Sequence, residues 1–261
     1  MKKIFAILLA LLCCLTAFAA LAEDYSVYTT EELQAMSAAI NAELTARIDA
    51  ARTPSAADDF LWASNGTEVR INAYLGNAFD VVIPEEIDGV PVTQIGTDAF
   101  KNQKNIFNLT LPSGLTTVGK ASFAHTHGLN DVLELPAAVQ VIEAEAFTGS
   151  KYKGIVLNSG FAVKGYNPFY MSELEFVYIR EGAAPALNNR SFNGCKKLAL
   201  AIIPASVTTI TDQAFLECPY LKIITPAGSA AEAYAKANFI PVDTASYEQI
   251  AAQYDALYPV K

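Results

Sequence analysis

Val92-Thr-Gln-Ile95-Gly-Thr-Asp-Ala-Phe100 decides the prediction of the fold, because closely similar stretches follow it. The copies are Leu115-Thr-Thr-Val118-Gly-Lys-Ala-Ser-Phe123, Val139-Gln-Val-Ile142-Glu-Ala-Glu-Ala-Phe147 and Val207-Thr-Thr-Ile210-Thr-Asp-Gln-Ala-Phe215. A phenylalanine recurs every 22 to 24 residues, at Phe100, Phe123, Phe147, Phe169, Phe192 and Phe215. A unit this short cannot bury its own apolar side chains, so the period predicts copies that stack into a solenoid.

A short apolar run recurs with the same period and predicts one strand per unit. Three runs end in proline and two keep the spacing without it: Leu109-Thr-Leu-Pro112, Leu133-Glu-Leu-Pro136, Ala201-Ile-Ile-Pro204, Ile155-Val-Leu-Asn158 and Val177-Tyr-Ile-Arg180. Stacked at a strand spacing of about 4.8 Å, the alternating apolar positions become continuous rows. We therefore predict an α/β repeat solenoid of short parallel strands and irregular or turn-type return segments, with the phenylalanines on the opposite wall of the core.

These units resemble the BspA-type leucine-rich repeat, which is abundant in secreted and surface proteins of bacteria. The resemblance covers roughly residues 68–240 and includes flanking segments at 68–92 and 226–237. The asparagine of the commonest leucine-rich repeats is absent. Its place is taken by a corner made of the repeat phenylalanine and the residue three positions later, such as Phe192 and Cys195. The resemblance implies a right-handed solenoid used for binding, and it implies no particular partner.

The first 22 residues read as a signal peptide, because Lys2 and Lys3 precede an apolar run and Ala20-Leu-Ala22 matches a cleavage site. The rival interpretation is a membrane span, for which the run is short. Cleavage leaves 16 basic and 27 acidic side chains, so the charge changes from −9 to 16 − 27 = −11. We predict a secreted or cell-surface protein that neither inserts into a membrane after leader removal nor binds nucleic acid.

Both flanks of the repeats are predicted to contain helices. The predicted domains are an N-terminal helical segment at 23–58, with its helix over 31–52, the solenoid at 59–240 and a C-terminal helix within 241–261. The solenoid is expected to start with a hairpin over 60–83 that turns at 73–77, and to end with a short helix over 229–237. Because a solenoid needs covered ends, capping is favoured over partner binding for the terminal helices.

No constellation of residues points to catalysis, to a cofactor or to a metal. His125 and His127 are two imidazoles without a third ligand, and Glu143 and Glu145 read as a solvated face. Cys195 and Cys218 lie three residues after a repeat phenylalanine, so adjacent units bring them to one column. This spacing allows a disulfide. We favour free thiols, since Thr126 and other small polar residues fill the same position elsewhere. The chain is predicted not to be an enzyme.

The outward face of the strands carries the candidate binding site. The outward positions of the first predicted strands are polar, with Asn108, Thr110 and Glu134, whereas those of the later strands are apolar and aromatic. The predicted exposed patch, centred on Phe176 and Tyr178, consists of Val156, Phe176, Tyr178, Leu200 and Ile202. Large exposed apolar patches mark docking sites unless something covers them. The alternative is that the C-terminal helix or a second copy of the chain, as a homodimer, covers the patch.

Two functions are predicted from this face. The first is a non-enzymatic extracellular module that binds a protein or a glycan through the strand face. The alternative is a structural or self-associating interaction module of the cell envelope.

Overall fold

The computed structural model describes residues 29, 53–126, 132–158, 160–183, 185–188, 190–211 and 213–259. The chain divides into two units, Met1–Thr45 and Ala46–Lys261, and the architecture below belongs to the second. The predicted signal peptide, the predicted helix over 31–52 and His127 lie outside the described residues.

Fifteen strands and two α-helices occur among the described residues, after a short 3-10 turn at Ala57–Asp59. They are β1 Phe60–Ser64, β2 Val69–Tyr74, β3 Asp80–Val82, β4 Glu86–Ile87, β5 Val90–Ile95, β6 Asn108–Thr110, β7 Thr117–Val118, β8 Val132–Leu135, β9 Val141–Glu143, β10 Gly154–Leu157, β11 Ala162–Lys164, β12 Phe176–Ile179, β13 Leu200–Ile202, β14 Lys222–Ile224, α1 Ala230–Ala237, β15 Val242–Asp243 and α2 Tyr247–Leu257.

Four of the five predicted strands lie in a parallel main sheet in the order β8-β10-β12-β13-β14-β15, whereas the predicted strand at Leu109, which is β6, lies outside it. Their register places one inward position of each strand in a continuous row: Leu133, Ile155, Val177, Ala201 and Ile223. Every member of this row is buried. Two of the shorter strands, β3 and β6, pair with each other in parallel as a separate two-stranded sheet. The repeat therefore folds as the parallel solenoid that its period predicts.

A second parallel sheet corrects the prediction that the return segments are only irregular. It runs β1-β2-β5-β7-β9-β11, with β4 beside β5, and joins β5, β7, β9 and β11 in parallel. The row Ile95, Val118, Ile142 and Val163 faces the core from this side. Coils approach so closely here that a Cβ on Gly119 would lie 2.6 Å from the Ile95 carbonyl oxygen. Only a glycine permits that packing.

The repeat phenylalanines stack face to face along the core. The ring centroids of Phe123 and Phe147 are 5.2 Å apart and those of Phe169 and Phe192 are 4.9 Å apart, with ring planes within 9° of parallel. All six phenylalanines are buried, and Tyr74 extends the column to the first coil, 5.5 Å from Phe100. A buried phenylalanine contributes about 1.5–3 kcal/mol by burial alone. The column therefore links successive coils into one core.

Residues with left-handed backbone conformation follow every repeat phenylalanine and precede five of the six, and they make the tight corner. Positive φ angles occur two residues before it at Asp98, Ala121, Glu145, Asn167 and Arg190, and two residues after it at Asn102, His125, Gly149, Met171, Gly194 and Glu217. The Phe123 N–H donates to the Ala146 carbonyl, and the Phe147 N–H donates to the Pro168 carbonyl, both at 2.7 Å. Bonds between coils thus satisfy backbone groups that an isolated turn would leave unpaired.

The two flanks of the repeats differ from each other. A hairpin of β1 and β2 starts the second sheet, but its turn lies at 65–68 instead of at 73–77. The reason is local, because Asn65 accepts hydrogen bonds from the Thr67 and Glu68 N–H groups and Gly66 adopts φ +90°. At the other flank, Ser229 caps α1 through the Glu232 N–H, and α2 follows β15. The helical C-terminal flank is therefore present.

Candidate functional site: the outward strand face

The main sheet brings the five predicted binding residues together on its outward face. The register aligns Val156 with Tyr178 and Tyr178 with Ile202. A second row places Gly154, Phe176 and Leu200 side by side. A Cβ on Gly154 would collide with the Phe176 ring, so the glycine makes the space in which that ring lies. The grouping of these side chains follows directly from strand alternation.

The prediction that this patch is open is wrong, because α2 lies on it. Val156, Tyr178 and Ile202 are fully buried, and Phe176 and Leu200 are half-buried. They form a second apolar cluster with Ile224 on β14, with four α2 side chains, Tyr247, Ile250, Ala251 and Tyr254, and with Tyr258, which follows α2. The apolar faces of the sheet and the helix remove each other from water. The alternative stated for this face, a cover by the C-terminal helix, is what the fold contains.

Aromatic rings make the main contacts between α2 and the outward face of the sheet. The Tyr254 ring lies 5.4 Å from Phe176 in an edge-on arrangement and 5.2 Å from Tyr178. The Tyr258 ring is 6.2 Å from Phe176. Aromatic pairs at these separations contribute about 0.5–1.5 kcal/mol beyond their buried area. Tyrosines therefore supply much of the contact between this short helix and the strands.

Polar groups anchor the same helix. The Tyr178 hydroxyl donates a 2.6 Å hydrogen bond to the Asp255 carboxylate, and the Tyr247 hydroxyl donates a 3.0 Å bond to Glu181. Arg180 pairs with Asp255 and also donates to the Tyr258 carbonyl. Burial, and then the Asp255 carboxylate, raise the pKa of Tyr178. These contacts hold α2 in one position on the sheet.

Arg180 has a role that the repeat pattern does not predict. It occupies the position of a strand-ending proline, yet its side chain is just 14% exposed and forms the ion pair to α2. Asn158 accepts a 2.8 Å hydrogen bond from its Nε and orients the guanidinium. An arginine that directly follows an apolar strand was the available signal, since such a cation needs an acidic partner.

The part of the strand face that α2 does not cover begins at β3 and β6. Asn108 donates to the exposed Asp80 carboxylate, and Thr110 is half-buried one step along β6. Exposed Phe79 and Phe107 stand at the start of the two strands, with ring centroids 5.4 Å apart. We call these five residues, Phe79, Asp80, Phe107, Asn108 and Thr110, the open strand surface. Its hydrogen-bonding groups share the outward side of the two strands, and its two exposed rings lie where the strands begin.

The two cysteines are thiols that pair with backbone oxygens. Cys195 donates to the Phe169 carbonyl at 3.1 Å and Cys218 to the Phe192 carbonyl at 3.2 Å. Thr126 makes the equivalent 3.0 Å bond to Phe100, so this column supplies a donor to the preceding coil. Burial raises the pKa of Cys195 to about 11 and that of Cys218 to about 12. Both thiols are therefore protonated and unreactive at neutral pH.

The other candidate residues that the structure describes, His125, Glu143 and Glu145, do not form a reaction centre. His125 is exposed, and the Glu143 carboxylate accepts the Lys120 N–H at 2.9 Å. Within the described ranges, no cluster of three or more His, Cys, Asp or Glu side chains could hold a metal ion. No helix in that same part of the chain has the length and apolar character needed to cross a bilayer.

Comparison with known families identifies the repeat. The family described as BspA type leucine rich repeat region matches residues 93–222 in six copies. Over these residues the chain belongs to the BspA-type leucine-rich repeat family, as its repeat pattern indicates. Leucine-rich repeat solenoids of this family are typically non-enzymatic, and many are surface or secreted proteins. No curated protein matches the chain.

Three solved structures are similar to the chain. A leucine-rich repeat protein of T. pallidum is 25% identical over 66% of this chain and 71% of its own, with a TM-score of 0.47. One from Bacteroides ovatus is 22% identical over 66% of this chain and 55% of its own, with a TM-score of 0.48. A leucine rich cell surface protein of Faecalibacterium prausnitzii is 14% identical over 79% of this chain and 98% of its own, with a TM-score of 0.22.

Proposed function

We propose that the protein is a non-enzymatic extracellular module that binds a protein or a glycan through the strand face of its solenoid. The leader-like residues 1–22 and the frequent surface location of the family support export. The observation that carries the binding proposal is the uneven cover of the strand face. The helix α2 occupies its apolar part and leaves the open strand surface accessible.

The chemistry of the open strand surface suits either ligand class. Phe79 and Phe107 offer aromatic faces, which pack against apolar side chains or against the C–H face of a sugar ring. Asp80 and Asn108 offer a carboxylate and an amide, which are hydrogen-bonding partners for hydroxyl or peptide groups. Direct contact of a ligand with the buried Tyr178 would require α2 to leave, so the binding surface is proposed at β3 and β6 instead.

The proposal is tested by presenting residues 23–261 to arrays of matrix proteins, mucins and polysaccharides and measuring each affinity by biolayer interferometry. The double variant Asp80→Ala, Asn108→Ala should weaken binding at least tenfold. The control Glu248→Ala, Gln249→Ala alters two exposed side chains of α2 and should change affinity less than twofold. Absence of any ligand, or equal losses in both variants, would overturn the proposal. Binding abolished only by Phe176→Ser would place the site beneath α2 and equally refute it.

A second candidate function is a structural or self-associating module of the envelope. One observation favours it: no described strand pairs with the outer edge of β1.

A further inference from the structure

The outer edge of β1 is a terminal strand edge of the second sheet. β1 is last in the strand order and pairs only with β2 among the described residues. Its five residues, Phe60–Ser64, contain no charge and no proline. Such edges present backbone N–H and C=O groups in the pattern that another strand recognises. Natural proteins usually block these edges with short strands, prolines or charged side chains.

The edge strand β15, which ends the main sheet, has those blocking features. It is only two residues long, Val242–Asp243, and Pro241 precedes it. Asp243 carries a charge and pairs with Lys222 at 3.0 Å. The chain then enters α2 after three residues. The edge at β15 is therefore blocked by several means, whereas the five residues of β1 contain neither a charge nor a proline, although Asp58 and Asp59 directly precede them.

Side chains of β1 pack on the core while its backbone is extended as a strand. Phe60 is buried against Tyr74 and Phe100, with ring centroids 5.5 and 6.4 Å away, and Trp62 packs on the same core. The extra residue of the bulge in the β1–β2 pairing is Asn72, so the irregularity lies on β2 and β1 stays regular. Leu61 points outward and is 55% exposed. Little ordering is needed before this edge could pair.

We propose that a second copy of this chain pairs with β1 through its own β1, antiparallel and across a two-fold axis. This proposal develops the second candidate function and does not depend on the open strand surface. The pairing would join two copies of the second sheet edge to edge, as strand addition does in other complexes. A two-fold axis satisfies both copies with the same five residues and closes the assembly as a dimer.

Side-chain size supports the second copy as the occupant. With Trp62 at the two-fold axis, Leu61 lies opposite Ala63 of the partner subunit, and Phe60 lies opposite Ser64 of the partner subunit. Phe60 and Leu61 thus each meet a small side chain, and Trp62 meets Trp62 of the partner subunit as an aromatic pair, both of which cross-strand packing favours. The sequence of β1 is therefore complementary to itself when it is reversed.

Charge supports the same occupant. Two chains of formal charge −9 repel each other over most of their surfaces, and an uncharged edge is where they can approach. In the antiparallel register, Asp59 lies opposite Asn65 of the partner subunit, an amide. The two Asp59 carboxylates then stand about six residues apart along the strands, roughly 20 Å. The register brings no like charges together.

The test is sedimentation velocity of residues 23–261 over a hundredfold concentration range. The wild type should shift from monomer to dimer. The variant Leu61→Asp, Ala63→Asp should raise the dimer dissociation constant at least tenfold, because it places charge along the edge. The control Leu75→Asp adds charge at another exposed leucine of the same end and should leave dimerisation unchanged. Matching circular dichroism and melting temperatures establish that the variants fold.

A cross-linking measurement fixes the register. Under mild oxidation, a mixture of Leu61→Cys chains and Ala63→Cys chains should give a disulfide-linked heterodimer in higher yield than either chain alone. A protein that remains monomeric throughout would overturn the proposal. A dimer unaffected by Leu61→Asp, Ala63→Asp, or one in which both cysteine variants cross-link equally well alone, would also overturn it. None of these readouts involves a ligand, so failure of the binding proposal would be seen separately.

Discussion

The two ends of the solenoid are closed by different means. At the C-terminal end, α1, β15 and α2 follow the last coil, and α2 lies on the outward strand face. At the N-terminal end, the hairpin of β1 and β2 closes the second sheet and leaves an uncharged edge. The difference follows from the residues that each end would otherwise expose to water. The strand face is apolar near the C-terminal end, whereas near β3 and β6 it carries polar groups that water can satisfy.

The two ends are also attached to the repeats by different kinds of contact. The contact between α2 and the sheet combines tyrosine rings with the Arg180–Asp255 pair and hydroxyl bonds from Tyr178 and Tyr247. The hairpin is held by Phe60 and Trp62 on the core and by backbone pairing. A cover that depends on side-chain contacts is sensitive to substitution and pH. The hairpin of β1 and β2 continues the second sheet, so we expect it to unfold together with the repeats.

The largest expected effect comes from breaking the aromatic column that lies between the ends. Phe147→Ala removes a buried ring stacked on both neighbours and should lower the free energy of unfolding by about 3–5 kcal/mol. Urea unfolding checks this with two probes: fluorescence of Trp62, the only tryptophan, and circular dichroism. Both transitions should move together. The control Phe239→Ala, at a side chain 95% exposed, should stay within about 0.5 kcal/mol of wild type.

A smaller loss is expected from the C-terminal cover alone. Tyr178→Ser removes a buried ring and its bond to Asp255, and should lower the free energy of unfolding by about 2–4 kcal/mol. The matched control is Tyr166→Ser, which changes a tyrosine that is 63% exposed and should be nearly neutral. Thermal unfolding followed by circular dichroism compares the two. An unchanged melting temperature for Tyr178→Ser would mean that α2 does not cover the sheet in solution.

Alkaline pH should weaken the C-terminal cover. Burial, followed by nearby carboxylates, raises the pKa of Tyr178 and of Tyr247. The unfolded chain loses these protons first, near the ordinary tyrosine pKa of about 10, so stability present below that pH declines as pH rises further. The double variant Tyr178→Phe, Tyr247→Phe should flatten part of this decline in melts between pH 8 and pH 11. An identical decline in both proteins would contradict the assignment.

The smallest expected effect lies in the repeats that both ends share. Met171 adopts φ 51°, a left-handed conformation that costs a side chain energy and costs glycine little. Met171→Gly should therefore raise the free energy of unfolding by about 0.5–1 kcal/mol. The reverse change at the equivalent position, Gly149→Ala, should lower it, because the new Cβ would meet the His125 ring. Chemical denaturation measures both, and a loss of stability in Met171→Gly would count against strain at this corner.

Much of the fold was predictable because the same residue pattern occurs in several copies along the chain. The inward rows through Ile155 and Val177 and the stack through Phe123 and Phe147 were read from spacing alone, and they are confirmed. The helical C-terminal flank, predicted over 229–237 and within 241–261, is present as α1 and α2. The hairpin turn was misplaced because Asn65-Gly66, a strong local turn signal, was overlooked.

The candidate site was predictable only in part. Strand alternation placed Val156, Tyr178 and Ile202 on one face, but it could not determine whether that face was exposed. Exposure depended on where the C-terminal helix lies, and no pattern within the helix specifies its distant contacts. Arg180 and Asp255 are 75 residues apart in the chain, so their pairing appears only when both segments are placed.

The amino-acid sequence by itself determined the period, the inward rows and the aromatic column, because a repeated unit can satisfy its apolar residues only against copies of itself. The tertiary structure decided that return segments pair as a second sheet, that α2 lies over Tyr178, and that β1 has no neighbouring described strand on its outer side. Those outcomes depend on which distant segments come into contact. Because the hydrophobic effect is non-directional, an apolar pattern shows that a face is buried but does not identify the segment that covers it.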